Sequence, residues 1–150
     1  MRSVALAALV AASLVPGAWA ETVAPGEIAF TDGAIESSLT GVAGDPVKGK
    51  DWFVGRKLGN CLACHQNSDA TNESFHGEVG PALDGVADRW TEPELRGIVT
   101  NAKMMFDGTI MPAFYKDAGY TRPLDKFAGK TILNAQQVED IVAYLKTLTE

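Results

Sequence analysis

Two cysteines, two histidines and few basic residues set the limits of this 150-residue chain. Two thiols do not make a zinc site without two further ligands. Only His76 stands near the run Cys61-Leu62-Ala63-Cys64-His65. A redox dithiol at C-x-x-C spacing calls for a thioredoxin-like β–α–β context, which the sequence lacks. Past residue 20 no stretch approaches the roughly 18 apolar residues of a membrane-spanning helix, so the processed chain is expected to be soluble. Lys and Arg number 13 against 19 Asp and Glu, a net charge of −6. That balance argues against nucleic acid or an anionic membrane as partner and is compatible with docking to another protein. Internal repeats and low-complexity tracts are absent as well.

What is present is C-x-x-C-H, the attachment signature of a c-type haem. Thiols three positions apart, Cys61 and Cys64, can each add to one haem vinyl group. His65 then lies under the iron and supplies an imidazole as proximal ligand. Upstream, Arg2 is followed by an apolar stretch from Val4 to Val15, Pro16-Gly17 and the small-residue site Ala18-Trp19-Ala20. This pattern predicts a secretory signal peptide over residues 1–20, cleaved before Glu21. About 12 apolar residues are too few for the roughly 30 Å of bilayer hydrocarbon. Export together with covalent haem points to the bacterial periplasm. Disulfides are permitted there, but haem attachment uses both cysteines.

Residues 21–44 have weak periodicity and are read as an extended arm with a short strand near Glu27–Phe30. Residues 45–150 form the expected single domain. Asp45 is a good N-cap with Pro46 at the first helical position, predicting a helix from Pro46 to about Lys57 that Gly59-Asn60 ends. Gly49, one turn before Phe53, would let the terminal helices cross closely. Gly80-Pro81-Ala82-Leu83 reads as a turn. Thr91-Glu92-Pro93-Glu94 reads as a capping box opening a helix with Leu95, Ile98 and Val99 on one side. Gly108, Pro112, Gly119, Pro123 and Gly129 make residues 104–132 a long loop, a kind that is usually functional inside a compact domain. Asn134 caps the last helix, where Val138, Ile141, Val142, Leu145 and Leu148 form one apolar stripe. Helices at both ends with haem between them give an all-α fold wrapped around the porphyrin.

The sixth iron ligand separates electron transfer from catalysis at an open site. Met104, Met105, Met111 and His76 are the candidates. Met104 and Met105 end the Leu95–Lys103 helix, where core packing is the expected role. Met111 precedes Pro112, which biases it to extended backbone in a stiff loop suited to presenting a thioether. It is the preferred ligand. His76 reads as a loop histidine bonded to backbone or a propionate. A carbonyl of the Gly80-Pro81 turn, that of Pro81 above all, is expected to accept from the other nitrogen of His65. Arg89, Trp90 and Tyr115 are candidates for the propionates.

Together C-x-x-C-H, Gly80-Pro81-x-Leu83, Met111-Pro112 and the amphipathic C-terminal helix resemble a class I cytochrome c over residues 45–148. Four stretches carry a narrower resemblance to the SoxX family: 59–65, 75–81, 83–90 and 108–115. SoxX is the small cytochrome subunit of the SoxAX complex of bacterial thiosulfate oxidation. The arm from Glu27 through Asp45 looks like that family too. The resemblance implies a heterodimer with a SoxA-like cytochrome. That complex joins thiosulfate oxidatively to a cysteine of a SoxYZ-like carrier, giving a cysteine S-thiosulfonate and two electrons. The bond is made in the partner subunit, so an L-cysteine S-thiosulfotransferase would use this chain for electron transfer alone. One covalently bound haem c with His65 and Met111 as axial ligands would receive the electrons and pass them to a soluble cytochrome c. No cysteine is left here for sulfur chemistry, in keeping with that division. A free-standing electron shuttle carries the same motifs. A peroxidase-like open site would need Met111 off the iron and His76 as its acid–base group.

Overall fold

Asp45 ends the irregular N-terminal segment and starts the first helix. In the computed structural model, which describes residues 21–150, its side chain accepts from the backbone N–H groups of Val47 and Lys48. The predicted signal peptide and its cleavage site lie outside the described residues. Helix α1 (Pro46–Val54) is followed by a tight 3-10 turn at Cys61–Ala63, α2 (Val86–Arg89), α3 (Glu92–Asn101) and α4 (Ala135–Leu145). The described residues contain no strand, only an isolated antiparallel bridge between Thr31 and Ala34. Two elements depart from expectation. The segment near Glu27–Phe30 is not a strand: Pro25–Glu27 form a 3-10 turn, and no neighbouring strand offers a ladder. Helix α1 stops at Val54 rather than near Lys57. Gly55 gives its N–H to Asp51 and turns extended, as a residue of poor helix propensity does readily.

The terminal helices meet as Gly49 suggests. A Cβ on Gly49 would overlap the carbonyl oxygen of Asp140, and one on Gly44 that of Glu139. Above this contact Phe53 and Tyr144 pack edge to face at 5.3 Å between ring centroids. The Asp140 side chain is buried and accepts from the Asp45 N–H at 2.9 Å and Trp52 Nε1 at 3.3 Å. A methyl group at position 49 would meet the Asp140 backbone and the Cβ of Tyr144, neither of which can swing aside. Gly49→Ala should therefore lower stability by about 1–3 kcal/mol, the range for overpacking a close-packed interior. Denaturant titration of the haem-loaded protein checks this.

The capping boxes at Thr91/Glu94 and Asn134/Gln137 both form. Leu95 and Val99 are buried on α3, with Ile98 half-buried. The apolar stripe of α4 is buried as read, but the helix also buries Glu139, Asp140 and Tyr144, so it is enclosed on more than one side. What encloses it is partly the arm. Residues 21–44 are irregular, as their composition suggests, yet Ile35 and Leu39 are 4% and 1% exposed and belong to the core.

A buried ion pair fastens that segment. Arg96 Nε donates to both Glu139 carboxylate oxygens at 2.9 and 3.2 Å. Its Nη1 donates to the Ile35 carbonyl at 3.0 Å, and its Nη2 to Glu92 Oε1 at 2.7 Å. Glu139 Oε1 also accepts from the Leu39 N–H at 2.7 Å. Lys146 pairs with the same Glu92, and these two cations hold the Glu92 carboxyl below its usual range, Lys146 foremost.

Candidate haem-attachment site

Gly59 and Asn60 set up the motif by backbone geometry. A side chain on Gly59 would overlap the Trp52 carbonyl, and Asn60 takes the left-handed conformation at φ 50°. The chain then tightens: the N–H groups of Cys64 and His65 both reach the Cys61 carbonyl, at 3.1 and 2.9 Å. Positions i and i+3 eclipse in a 3-10 turn, so the turn brings the two thiols to one side. Leu62 between them is buried and anchors the turn in the core. Both thiols are free and half-buried. Burial pushes that of Cys61 up to about 12.

The His65 ring is fixed from two directions. Its Nδ1 lies 2.8 Å from the Pro81 carbonyl oxygen. A carbonyl only accepts, so Nδ1 carries the proton and Nε2 of the neutral ring keeps its lone pair. The ring rests against Gly80, where an added Cβ would come within 2.7 Å of Nδ1 and 2.9 Å of Nε2. Residues 77–80 are pinned to the motif by bonds of 2.7 Å from Gly77 N–H to the Leu62 carbonyl and from Gly80 N–H to that of Cys64. The expected turn is thus the support of the imidazole.

Arg89 braces the same turn. Its guanidinium donates to the carbonyls of Asp84 at 2.6 Å and Ala82 at 2.9 Å. Tyr115 gives its hydroxyl proton to the Val23 carbonyl at 2.8 Å. Two of the three propionate candidates thus bond backbone, while the third, Trp90, forms a T-shaped pair with Phe106 at 5.6 Å. His76 is a loop histidine bonded to backbone, as read: Nδ1 accepts from the Asn67 N–H and Nε2 donates to the Glu73 carbonyl, each at 3.2 Å.

Met111 comes from a different segment, half-buried against the core and followed by the buried run Ala113-Phe114-Tyr115. The Tyr115 N–H bonds the Thr100 carbonyl at 3.1 Å, which ties this run to the end of α3. Met104 and Met105 do not fill the core as expected. Helix α3 gives way after Asn101 to a 3-10 turn, which leaves Met104 50% exposed and sets Met105, half-buried, against Gly33.

Sequence reasoning missed the polar chain behind His65. Asn67 is fully buried; its amide donates to the Tyr144 hydroxyl at 2.9 Å, and that hydroxyl donates to Asp69 Oδ2 at 2.8 Å. Lys50 meets the same carboxylate at 2.8 Å. The Lys50 bond, then the Tyr144 bond, hold Asp69 below the usual carboxylate range. Burial, then Asp69, raise the Tyr144 hydroxyl well above its ordinary value. The chain thus links the segment after His65 to α4 and α1. Nothing in the spacing of Asn67 announces this, because its partner is 77 residues away.

This donor set fits a c-type haem. It offers two thiols on one side of a turn, an imidazole with its Nε2 lone pair free, a glycine that leaves the ring room, and a thioether on a separate loop. Among the described residues no three histidine, cysteine or acidic side chains gather as metal ligands. No described helix is long and apolar enough to cross a membrane.

The family model described as Cytochrome c matches residues 47–149. The chain belongs to the cytochrome c family. The all-α class I fold and the covalently bound haem c expected from the sequence follow from that membership. The cytochrome is also similar to a chain in the crystal structure of SoxXA from P. pantotrophus, at 52% identity and a TM-score of 0.82. The alignment covers 86% of this cytochrome and 99% of that chain, which bears out the resemblance to SoxX. No curated protein matches it.

Proposed function

We propose that this cytochrome is the electron-accepting, monohaem subunit of a SoxAX-type complex. The observation that carries the reading is the 52% identity to a chain of SoxXA over nearly all of that chain's length. Its partners are a SoxA-like cytochrome in a heterodimer, a SoxYZ-like carrier whose cysteine receives the thiosulfate, and a soluble cytochrome c that takes the electrons away. It works in the periplasm, reached through a leader removed after Ala20.

Haem c supplies one-electron redox chemistry when bound. Cys61 and Cys64 would hold it as thioethers, and His65 Nε2 and the Met111 sulfur would be the iron ligands. The Pro81 carbonyl draws on the His65 Nδ1–H, which fixes the ring and raises the basicity of Nε2. A neutral thioether as the second ligand beside the imidazole would disfavour the ferric charge and raise the potential, which suits an electron acceptor. With both thiols used in attachment, no sulfur nucleophile remains on this chain, and the sulfur bond is made in the partner subunit.

The test is a pull-down of the tagged mature chain from its own periplasm after growth on thiosulfate. A second haem protein at stoichiometric yield is the expected result. Recovery of the haem-loaded chain alone would make it a free-standing electron shuttle.

A further inference from the structure

The Met111 loop is held by a residue that none of the haem motifs contains. Lys103 lies just past α3, in the 3-10 turn Ala102–Met104. Asn101 starts that turn by accepting the Lys103 N–H on its side-chain oxygen at 3.3 Å. From there the Lys103 ammonium donates to the carbonyl of Thr109 at 3.0 Å and to that of Met111 at 2.6 Å. Inside the loop the Met111 N–H bonds Thr109 Oγ1 at 3.2 Å. Gly108 makes the reversal with φ +72°. Both carbonyls flanking the Thr109–Met111 segment therefore converge on one cation, and a hydroxyl of the segment takes the Met111 amide.

We propose that Lys103 is a positioning residue for the Met111 thioether, clamping the loop so that the sulfur is presented without a search through loop conformations. The inference rests on Met111 as the axial ligand. In a loop cut by Gly108 and Pro112, Ile110 is 79% exposed and Met111 alone packs against the core, so apolar contact does little to fix the backbone. Charge-assisted bonds to backbone are the stronger kind, and here they act at the ligand residue itself. A lysine that served only solubility would have no reason to close on two carbonyls of one turn.

The test uses the full haem-loaded chain at fixed pH, with Lys103→Met, Lys103→Arg and Met111→Ala. The thioether-to-iron charge-transfer band of the oxidised protein and the far-ultraviolet helical signal are followed together through a denaturant titration. Lys103→Met should lose the band at lower denaturant than the parent while the helical transition stays in place. The expected change is about tenfold in the ligation equilibrium, what one charge-assisted bond contributes net. Lys103→Arg, which keeps the cation and its donors, should recover most of the loss. If band and helical signal move together, or the band does not move, Lys103 has no positioning role. If Met111→Ala keeps the full band, the ligand assignment itself fails, whatever Lys103 does.

Discussion

Replacing Arg96 with Met should lower stability by about 3–5 kcal/mol, the cost of breaking a buried pair from one side. Arg96 and Glu139 are 3% and 4% exposed, so water does not take over the orphaned carboxylate. The guanidinium also holds the Ile35 carbonyl and Glu92, which lose a donor at the same stroke. The midpoint of denaturant unfolding of the haem-loaded protein reads the effect. Removing both charges with Arg96→Met and Glu139→Leu should recover only part of the loss. The Leu39 N–H, which donates to Glu139 Oε1 at 2.7 Å, then stays buried without an acceptor, and an unsatisfied buried donor costs roughly 1–3 kcal/mol. Full recovery in the double variant would show that the arm is not fastened through Leu39.

The second large effect belongs to the iron. Met111→Ala should abolish the thioether-to-iron charge-transfer band while the haem stays covalently attached through Cys61 and Cys64. On the proposed ligation the potential should fall, within the roughly 0.8 V that haem ligands span, because the change removes a neutral, soft ligand. Met105→Ala is the control: that side chain packs against Gly33, and the band should survive its removal. A band that survives Met111→Ala and vanishes with Met105→Ala would move the ligand to position 105.

Local chemistry was legible in the sequence because each signal needs only its neighbours. Asp45 before Pro46, Thr91 before Glu94, the apolar stripe of α4 and the motif itself are readable within one or two turns. Gly49 was legible too, as an absent side chain one turn before Phe53 on the buried face of α1. The end of α1 was misjudged because two glycine-containing breaks, Gly55 and Gly59-Asn60, compete, and the nearer one stops the helix. Arg96, Glu139 and Asp140 gave no warning. Charged residues on a helix read as solvent-facing until their partners are known, and Glu139 meets Leu39 from 100 residues away. Ile35 and Leu39 were hidden likewise, since two apolar residues in a segment without periodicity do not declare a core. At the site, the Pro81 carbonyl was foreseen because a histidine ligand wants an acceptor for its second nitrogen. The Asn67–Tyr144–Asp69 chain follows no such rule.

The ion pair that closes the fold also bears on the order of events during synthesis. Glu139 receives both the Arg96 guanidinium and the Leu39 amide, so neither bond exists until the chain has been made past residue 139. Until then the segment holding Ile35 and Leu39 lacks the carboxylate that fastens it, so the arm is among the last parts of the chain to be secured.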